Sequence, residues 1–162
     1  MKIYIGSDHA GFELKGMISR FLMNLGHEVV DKGAYQFLPD DDYPDFIIPV
    51  AQAISNDGGD PERSRGIIFG GSGQGEAIVA NRFPHVRAVV FNGQYAPKDG
   101  REIPNEIKIS REHNDSNILS LGARFLNEAE AQAAVKLWLE TAFSNDGRHI
   151  RRLQKVDLIS KA

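Results

Sequence analysis

The 162-residue chain has no cysteine. That absence excludes disulfides, thiolate metal sites and a cysteine nucleophile together, and it suits a reducing compartment. The chain also lacks any apolar run approaching the roughly 20 residues that a membrane-spanning helix needs. Its first residues, Met1-Lys2-Ile3-Tyr4-Ile5-Gly6, meet Ser7-Asp8-His9 before the apolar core of a signal peptide can develop. The expected location is the cytoplasm, with no membrane partner. Charge of one sign is scarce too: the formal net charge of -3 offers no electrostatic attraction for a nucleic acid. No internal repeat or linker interrupts the chain, and its length suits one compact domain over residues 1–162 that buries roughly two-thirds of the surface of its unfolded form.

What is present is an alternation of strands and helices. Lys2 to Gly6 reads as a buried strand. Phe12, Leu14, Met17, Ile18, Phe21, Leu22 and Leu25 then recur at helical spacing up to Gly26, a C-terminal cap. His27 to Asp31 supplies a second strand, and Ile47, Val50, Ala51 and Ile54 mark a helix after the turn Asp42-Tyr43-Pro44-Asp45. Gly66 to Phe69 is a third strand, followed by a glycine-rich loop and the short helix Glu76 to Asn81. Arg87 to Phe91 and Asn117 to Leu121 are the fourth and fifth strands, and a long helix runs from about Asn127 to Phe143. This order predicts an α/β fold, a Rossmann-like, doubly wound, parallel five-stranded sheet with helices on both faces and a ligand site at the carboxyl ends of the strands. Tyr95 to Ile109, rich in charge, Pro and Gly, breaks the rhythm. The tail, about residues 148–160, places Ile150, Leu153, Val156 and Ile159 on one helical face, which predicts a helix docking on this subunit or on a partner.

Several residues stand where chemistry is possible. Asp8-His9 follows the first strand directly, although Asp8 is equally well explained as a helix cap. The loop Gly70-Gly71-Ser72-Gly73-Gln74-Gly75 can bring backbone N–H groups close to an anion. It is not a dinucleotide fingerprint, because Glu76 occupies the place of the third glycine, and the Lys-Ser/Thr pair of a P-loop is missing. Glu76 either complements a helix dipole or transfers a proton beside those donors. His113-Asn114 stands just before the fifth strand, and Arg124, Arg148 and Arg152 suit either a phosphate dianion or a basic surface.

Taken in order, Gly6-Ser7-Asp8-His9-Ala10-Gly11-Phe12, Asp42-Tyr43-Pro44-Asp45, Gly71-Ser72-Gly73-Gln74-Gly75, Ala80-Asn81, Arg87-Ala88-Val89-Val90 and His113-Asn114-Asp115 resemble the family of ribose-5-phosphate isomerase type B and galactose-6-phosphate isomerase. The resemblance covers nearly the whole chain. It implies a metal-free aldose–ketose isomerase, needing no cofactor, that acts on a sugar phosphate through a cis-enediolate. In that reading Glu76 is the base, His113 and Asp8 assist ring opening, and Ser72 completes the catalytic group. The Gly71 to Gly75 backbone, including Gly73 and Gln74, would hold the enediolate. Asn114 would hold sugar hydroxyls, Tyr43 would line the sugar pocket, and His9, Arg124, Arg148 and Arg152 would surround the phosphate. The resemblance also implies a homodimer, or a tetramer built from dimers, whose sites take residues from both subunits.

The family it resembles divides by its base: one branch places a cysteine where this chain has Gly70, and the other a glutamate matching Glu76. This chain is of the glutamate branch. It departs from the family in the stretch from Ala96 to Glu106, which is longer than the usual connection and leaves open a four- or six-carbon sugar phosphate instead of a pentose phosphate. A non-catalytic sugar-phosphate sensor, or a subunit that takes its base from a different partner, stays open as well.

Overall fold

The computed structural model describes residues 1–159. β1 (Lys2–Ser7) leads through a single 3₁₀ turn (His9–Gly11) into α1 (Phe12–Asn24), β2 (Glu28–Asp31) and α2 (Pro44–Asn56). β3 (Ser64–Gly70), α3 (Gln74–Ala80), β4 (Ala88–Phe91) and α4 (Glu106–Glu112) follow, then β5 (Ile118–Gly122), α5 (Glu128–Glu140) and α6 (Gly147–Ile159). The strands form one sheet in the order β2-β1-β3-β5-β4, with every pairing parallel. Chain direction along the sheet therefore reverses between β1 and β3, which is where an open α/β sheet offers a crevice.

Strand alternation divides the core into two layers. Ile3, Ile5, Ile67, Phe69, Leu119 and Leu121 face α1 and α5, meeting Ile18, Leu22, Val135 and Trp138. Ile68 and Ile118 point the other way, against Ile47, Val50 and Ile54 of α2 and Ala80 of α3. β3 and β5 are buried along their whole length, as expected for central strands covered on both faces.

Local sequence accounts for the helix ends. Pro44 occupies the first turn of α2, where its missing N–H costs nothing. Gly26, at a φ of 83°, closes α1 and donates to Met23 O at 3.0 Å. Asn127 and Glu130 form a reciprocal capping box on α5. That helix stops at Glu140, short of the expected Phe143, because two buried arginines take its final carbonyls. Arg65 Nη1 donates to Trp138 O and Leu139 O at 2.8 and 3.1 Å, and Arg111 Nε donates to Thr141 O at 3.2 Å.

The sequence underestimated one segment. Within the stretch read as irregular, Glu106–Glu112 is helical: the Asn105 side chain accepts from Lys108 N at 3.1 Å and Ile107 and Ser110 are buried. The seven-residue helix is too short for a periodic apolar signal. α6 matches the expected tail helix, whose last residue, 160, lies outside the described residues. No helix among the described residues is long and apolar enough to cross a membrane.

Because the capping box satisfies two otherwise orphaned N–H groups far from the pocket described below, Asn127→Ala should lower stability by about 1 kcal/mol. A shift of the urea midpoint at unchanged m-value would measure it.

Candidate active site

Four strand ends converge on one pocket of about 320 Å³, lined by Asp8, His9, Ala10, Tyr43, Gly71, Ser72, Gly75, Glu76, Arg124 and Phe125. β1 delivers Asp8 and His9, β3 the glycine loop and Glu76, β5 Arg124, and the loop after β2 brings Tyr43. The volume suits a small metabolite rather than a polymer.

The loop between β3 and α3 is held from behind by its carbonyls. Gly70 O accepts from Ala123 N at 2.8 Å and Gly71 O from Arg124 N at 3.1 Å. Ser72 O accepts from Asn92 Nδ2 at 3.0 Å and Gly73 O from Ser120 Oγ at 2.7 Å. In a trans peptide the N–H points opposite to the preceding carbonyl. Pinning four consecutive carbonyls to the body therefore turns the N–H groups that follow them the other way, that of Gln74 reaching Ser72 Oγ at 3.4 Å and the others left to meet a negative charge. Of these residues only Gly73 has a positive φ, 73°. The other glycines are required by close approach: a Cβ at Gly75 would stand 2.9 Å from the Tyr43 ring and one at Gly71 would stand 3.1 Å from the Arg124 guanidinium.

Glu76 lies in the first turn of α3 and is 4% exposed. Its carboxylate folds back over Gly70, where a Cβ would overlap both carboxylate oxygens. Burial raises the Glu76 pKa above the ordinary glutamate value, its own backbone N–H opposes that rise, and the charge of Asp8 adds to it. Such a carboxyl is placed to accept and return a proton. Asp8 serves two purposes. Its Oδ1 accepts from Gly11 N at 3.0 Å, capping the 3₁₀ turn, and the same residue lines the pocket. His9 is bound on its Nδ1 side by Asp41, and that hydrogen bond, outweighing desolvation, raises its pKa.

The remaining expected residues lie elsewhere on the subunit. Gly73 and Gln74 adjoin the pocket without lining it. His113 caps the C-terminus of α4 and stacks edge-on against His149 at 4.2 Å. Asn114 borders a separate depression between β4 and α4. Arg148 and Arg152 are exposed on α6, Arg148 paired with Asp146 at 3.2 Å. The loop from Ala96 to Asn105 hangs from a neck in which Glu106 N donates to Gln94 Oε1 at 2.9 Å and Glu106 Oε1 accepts from Tyr95 N at 2.8 Å. It does not line the pocket. Sequence reasoning passed over Asp41, Asn92, Ser120 and Phe125. Asn92 directly follows β4, so its place at the carboxyl edge was available as a signal.

The chain matches the model of the Ribose/Galactose Isomerase family over residues 3–156. It belongs to that family. It is 40% identical over 154 residues to the ribose-5-phosphate isomerase B of Mycolicibacterium paratuberculosis, covering 94% of this chain and 87% of that one. Among solved structures, ribose-5-phosphate isomerase B of Clostridium thermocellum superposes with a TM-score of 0.85 at 41% identity, covering 99% and 98% of the two chains. The enzyme of Mycoplasma genitalium, solved with bound ribulose 5-phosphate, gives 0.86 at 32% identity, covering 99% and 96%.

Membership gives the contact at Gly70 a consequence. A side chain at position 70 and the carboxylate folded back from Glu76 compete for one volume. Gly70→Ala should fold yet displace Glu76, cutting kcat by roughly 10² or more, as loss of a positioned base does. Circular dichroism and steady-state isomerase kinetics on the same preparation measure both.

Proposed function

We propose that this protein interconverts ribose 5-phosphate and ribulose 5-phosphate in the cytoplasm as a homodimer with shared active sites. The buried Glu76 carboxylate, raised in pKa and standing beside the outward-facing loop amides, is the observation that carries this reading. The Mycoplasma genitalium relative with bound ribulose 5-phosphate supports the choice of sugar.

The reaction begins with ring opening assisted by Asp8 and His113. Glu76 removes the proton from the carbon next to the carbonyl, giving a cis-enediolate whose oxyanion the Gly71 to Gly75 amides stabilise, with Ser72 beside it. Glu76 then returns the proton to the neighbouring carbon. One carboxylate acts as base and acid in turn, which requires a pKa nearer the working pH than an exposed glutamate has. His9 and Arg124 hold the phosphate from within the subunit, and Tyr43 and the loop confine the sugar.

His113, Asn114, Arg148 and Arg152 do not line this subunit's pocket, and in this reading they serve the partner's. α6 supports that arrangement. His149 at its start is buried and Asp157 pairs with Arg87 at 3.9 Å, whereas Ile150, Val156, Leu158 and Ile159 are 38%, 51%, 65% and 77% exposed. An apolar helix face left in water calls for a covering surface.

Turnover is measured first on ribose 5-phosphate and on four- and six-carbon aldose and ketose phosphates, with chelator present. Preference for another sugar overturns the substrate, and no turnover overturns the enzyme reading. Glu76→Gln should lower kcat by roughly 10² to 10⁴, and wild-type kcat should rise with pH as Glu76 ionises. The stability effect runs the other way. A raised carboxyl pKa means that the folded state binds the extra proton, so stability falls as pH climbs from the unfolded glutamate value through the folded one. Glu76→Gln should therefore equal or exceed wild type in Tm at neutral pH.

Shared sites predict complementation. Glu76→Gln and Arg148→Ala/Arg152→Ala preparations, each weakly active, should recover about a quarter of wild-type activity when dissociated and reassociated in equal amounts, because half of the dimers are mixed and carry one intact site of two. Activity that stays at the average of the two parents would assign each site to a single subunit.

A further inference from the structure

We propose that Asp41 is the positioning residue for the anion-binding end of this pocket: a single carboxylate oxygen holds His9 by both its backbone and its ring N–H, leaving Nε2 to meet the substrate's phosphate. This inference rests on the isomerase reading above and names a residue that reading does not use.

The geometry is specific. Asp41 Oδ1 accepts from His9 N at 3.0 Å and stands 2.7 Å from His9 Nδ1. With Nδ1 committed to a carboxylate, that nitrogen carries hydrogen in either charge state, and Nε2 becomes the nitrogen that titrates. His9 lines the pocket with its side chain 30% exposed, while the Asp41 side chain is 5% exposed. Asp41 is thus behind the ligand-facing group rather than part of it. Its second oxygen, Oδ2, is buried without a hydrogen-bond partner among the described residues. A buried carboxylate so poorly solvated is tolerable when a cation compensates it, and the cation within reach is protonated His9.

The start of the loop carrying Asp41 is fixed. Lys15, buried under it, donates to both Asp31 oxygens at 2.9 Å and to Ala34 O at 2.6 Å. Ser7 N donates to Gly33 O at 2.8 Å and Ala34 N to Ser7 O at 2.8 Å, tying the loop to the end of β1 beside His9. Asp41 N then donates to Leu38 O at 3.2 Å. The ring is held to a rigid strand end through a second, independently anchored loop.

The charged groups facing His9 come from every side of the pocket. Asp41, from the loop after β2, and Asp8, at the end of β1, favour its cation, while Arg124, following β5, and desolvation oppose it. Glu76 of α3 and Tyr43, just before α2, are the other titratable groups lining the pocket. The Asp41 hydrogen bond is the largest influence and the net shift is upward. Below its folded pKa, His9 presents Nε2–H to the phosphate. Above it, Nε2 turns a lone pair toward a dianion and binding weakens. KM should consequently rise as pH climbs through the His9 pKa.

The test compares wild type, Asp41→Asn and Asp41→Glu by two measurements. One is the NMR titration of His9, in the free protein and with inorganic phosphate as probe. The other is kcat and KM for ribose 5-phosphate from mildly acid to mildly alkaline pH. Asp41→Asn keeps an oxygen acceptor but removes the charge. His9 should titrate at lower pH, KM above that pH should rise up to roughly tenfold for each unit lost, kcat should change far less, and phosphate should bind more weakly. Asp41→Glu should restore the wild-type direction of both profiles. An unchanged His9 titration in Asp41→Asn, or a kcat loss with KM unmoved, would overturn the proposal. If neither variant folds, wild-type His9 decides: titration at or below the ordinary histidine value overturns it, and titration above that value with phosphate binding lost as His9 deprotonates supports it. If the enzyme does not turn over ribose 5-phosphate, the isomerase reading fails alone, because the His9 titration and phosphate binding still test Asp41.

Discussion

A carboxylate kept from water beside another carboxylate is the constraint around which the pocket is arranged. Glu76 is 4% exposed and shares its surroundings with Asp8, itself 7% exposed. Burying two acids together is unfavourable unless each finds compensation. Asp8 finds it in the N–H of Gly11, which it caps. Glu76 has less, and its pKa rises. Two acids at one edge of the sheet thus stand in different surroundings, one capping a 3₁₀ turn and the other with a raised pKa.

Holding Glu76 there demands empty volume, and the chain provides it by omitting side chains. Gly70 gives way to the carboxylate, Gly75 to Tyr43 and Gly71 to Arg124. The glycine loop is commonly understood as a flexible wrapper for a ligand, yet here most of its glycines serve the protein's own side chains. Four carbonyls tied to the body make the loop rigid rather than adaptable. Rigidity matters because oriented dipoles stabilise a developing charge only when they need not reorganise to do so.

The fold was largely legible because its signals are local. Short β-branched runs, helical spacing in Phe12 to Leu25 and glycine at strand ends each report a nearby constraint. The parallel pairing of five strands followed from alternation, whereas their order came only with the structure. α4 escaped because seven residues leave little periodicity, and α5 ended early because Arg65 and Arg111, distant in sequence, claim its carbonyls. The site was legible in the same uneven way. Asp8, Glu76 and the loop stood out, aided by family resemblance. Asp41 was hidden in the acidic run Asp40-Asp41-Asp42, where nothing distinguishes the residue that turns inward until the loop after β2 is folded against His9. Asn92 and Ser120 were missed since their role is to hold other backbone groups, which composition does not encode.

The split between the residues that line the pocket and those that do not follows a physical logic. Inside the subunit lie Glu76, the glycine loop and Arg124, all placed by the carboxyl ends of the sheet. His113 and Asn114 directly follow α4, and Arg148 and Arg152 sit on α6. In the proposed dimer these groups belong to the neighbour's pocket, so the apolar face of α6 and the charge pattern of the site would be satisfied by the same event. A subunit alone would then present an anion pocket with too little positive charge, balanced chiefly by Arg124 and a protonated His9. That balance would make Asp41 consequential: by raising the His9 pKa it favours, from within one subunit, charge that would otherwise wait on assembly.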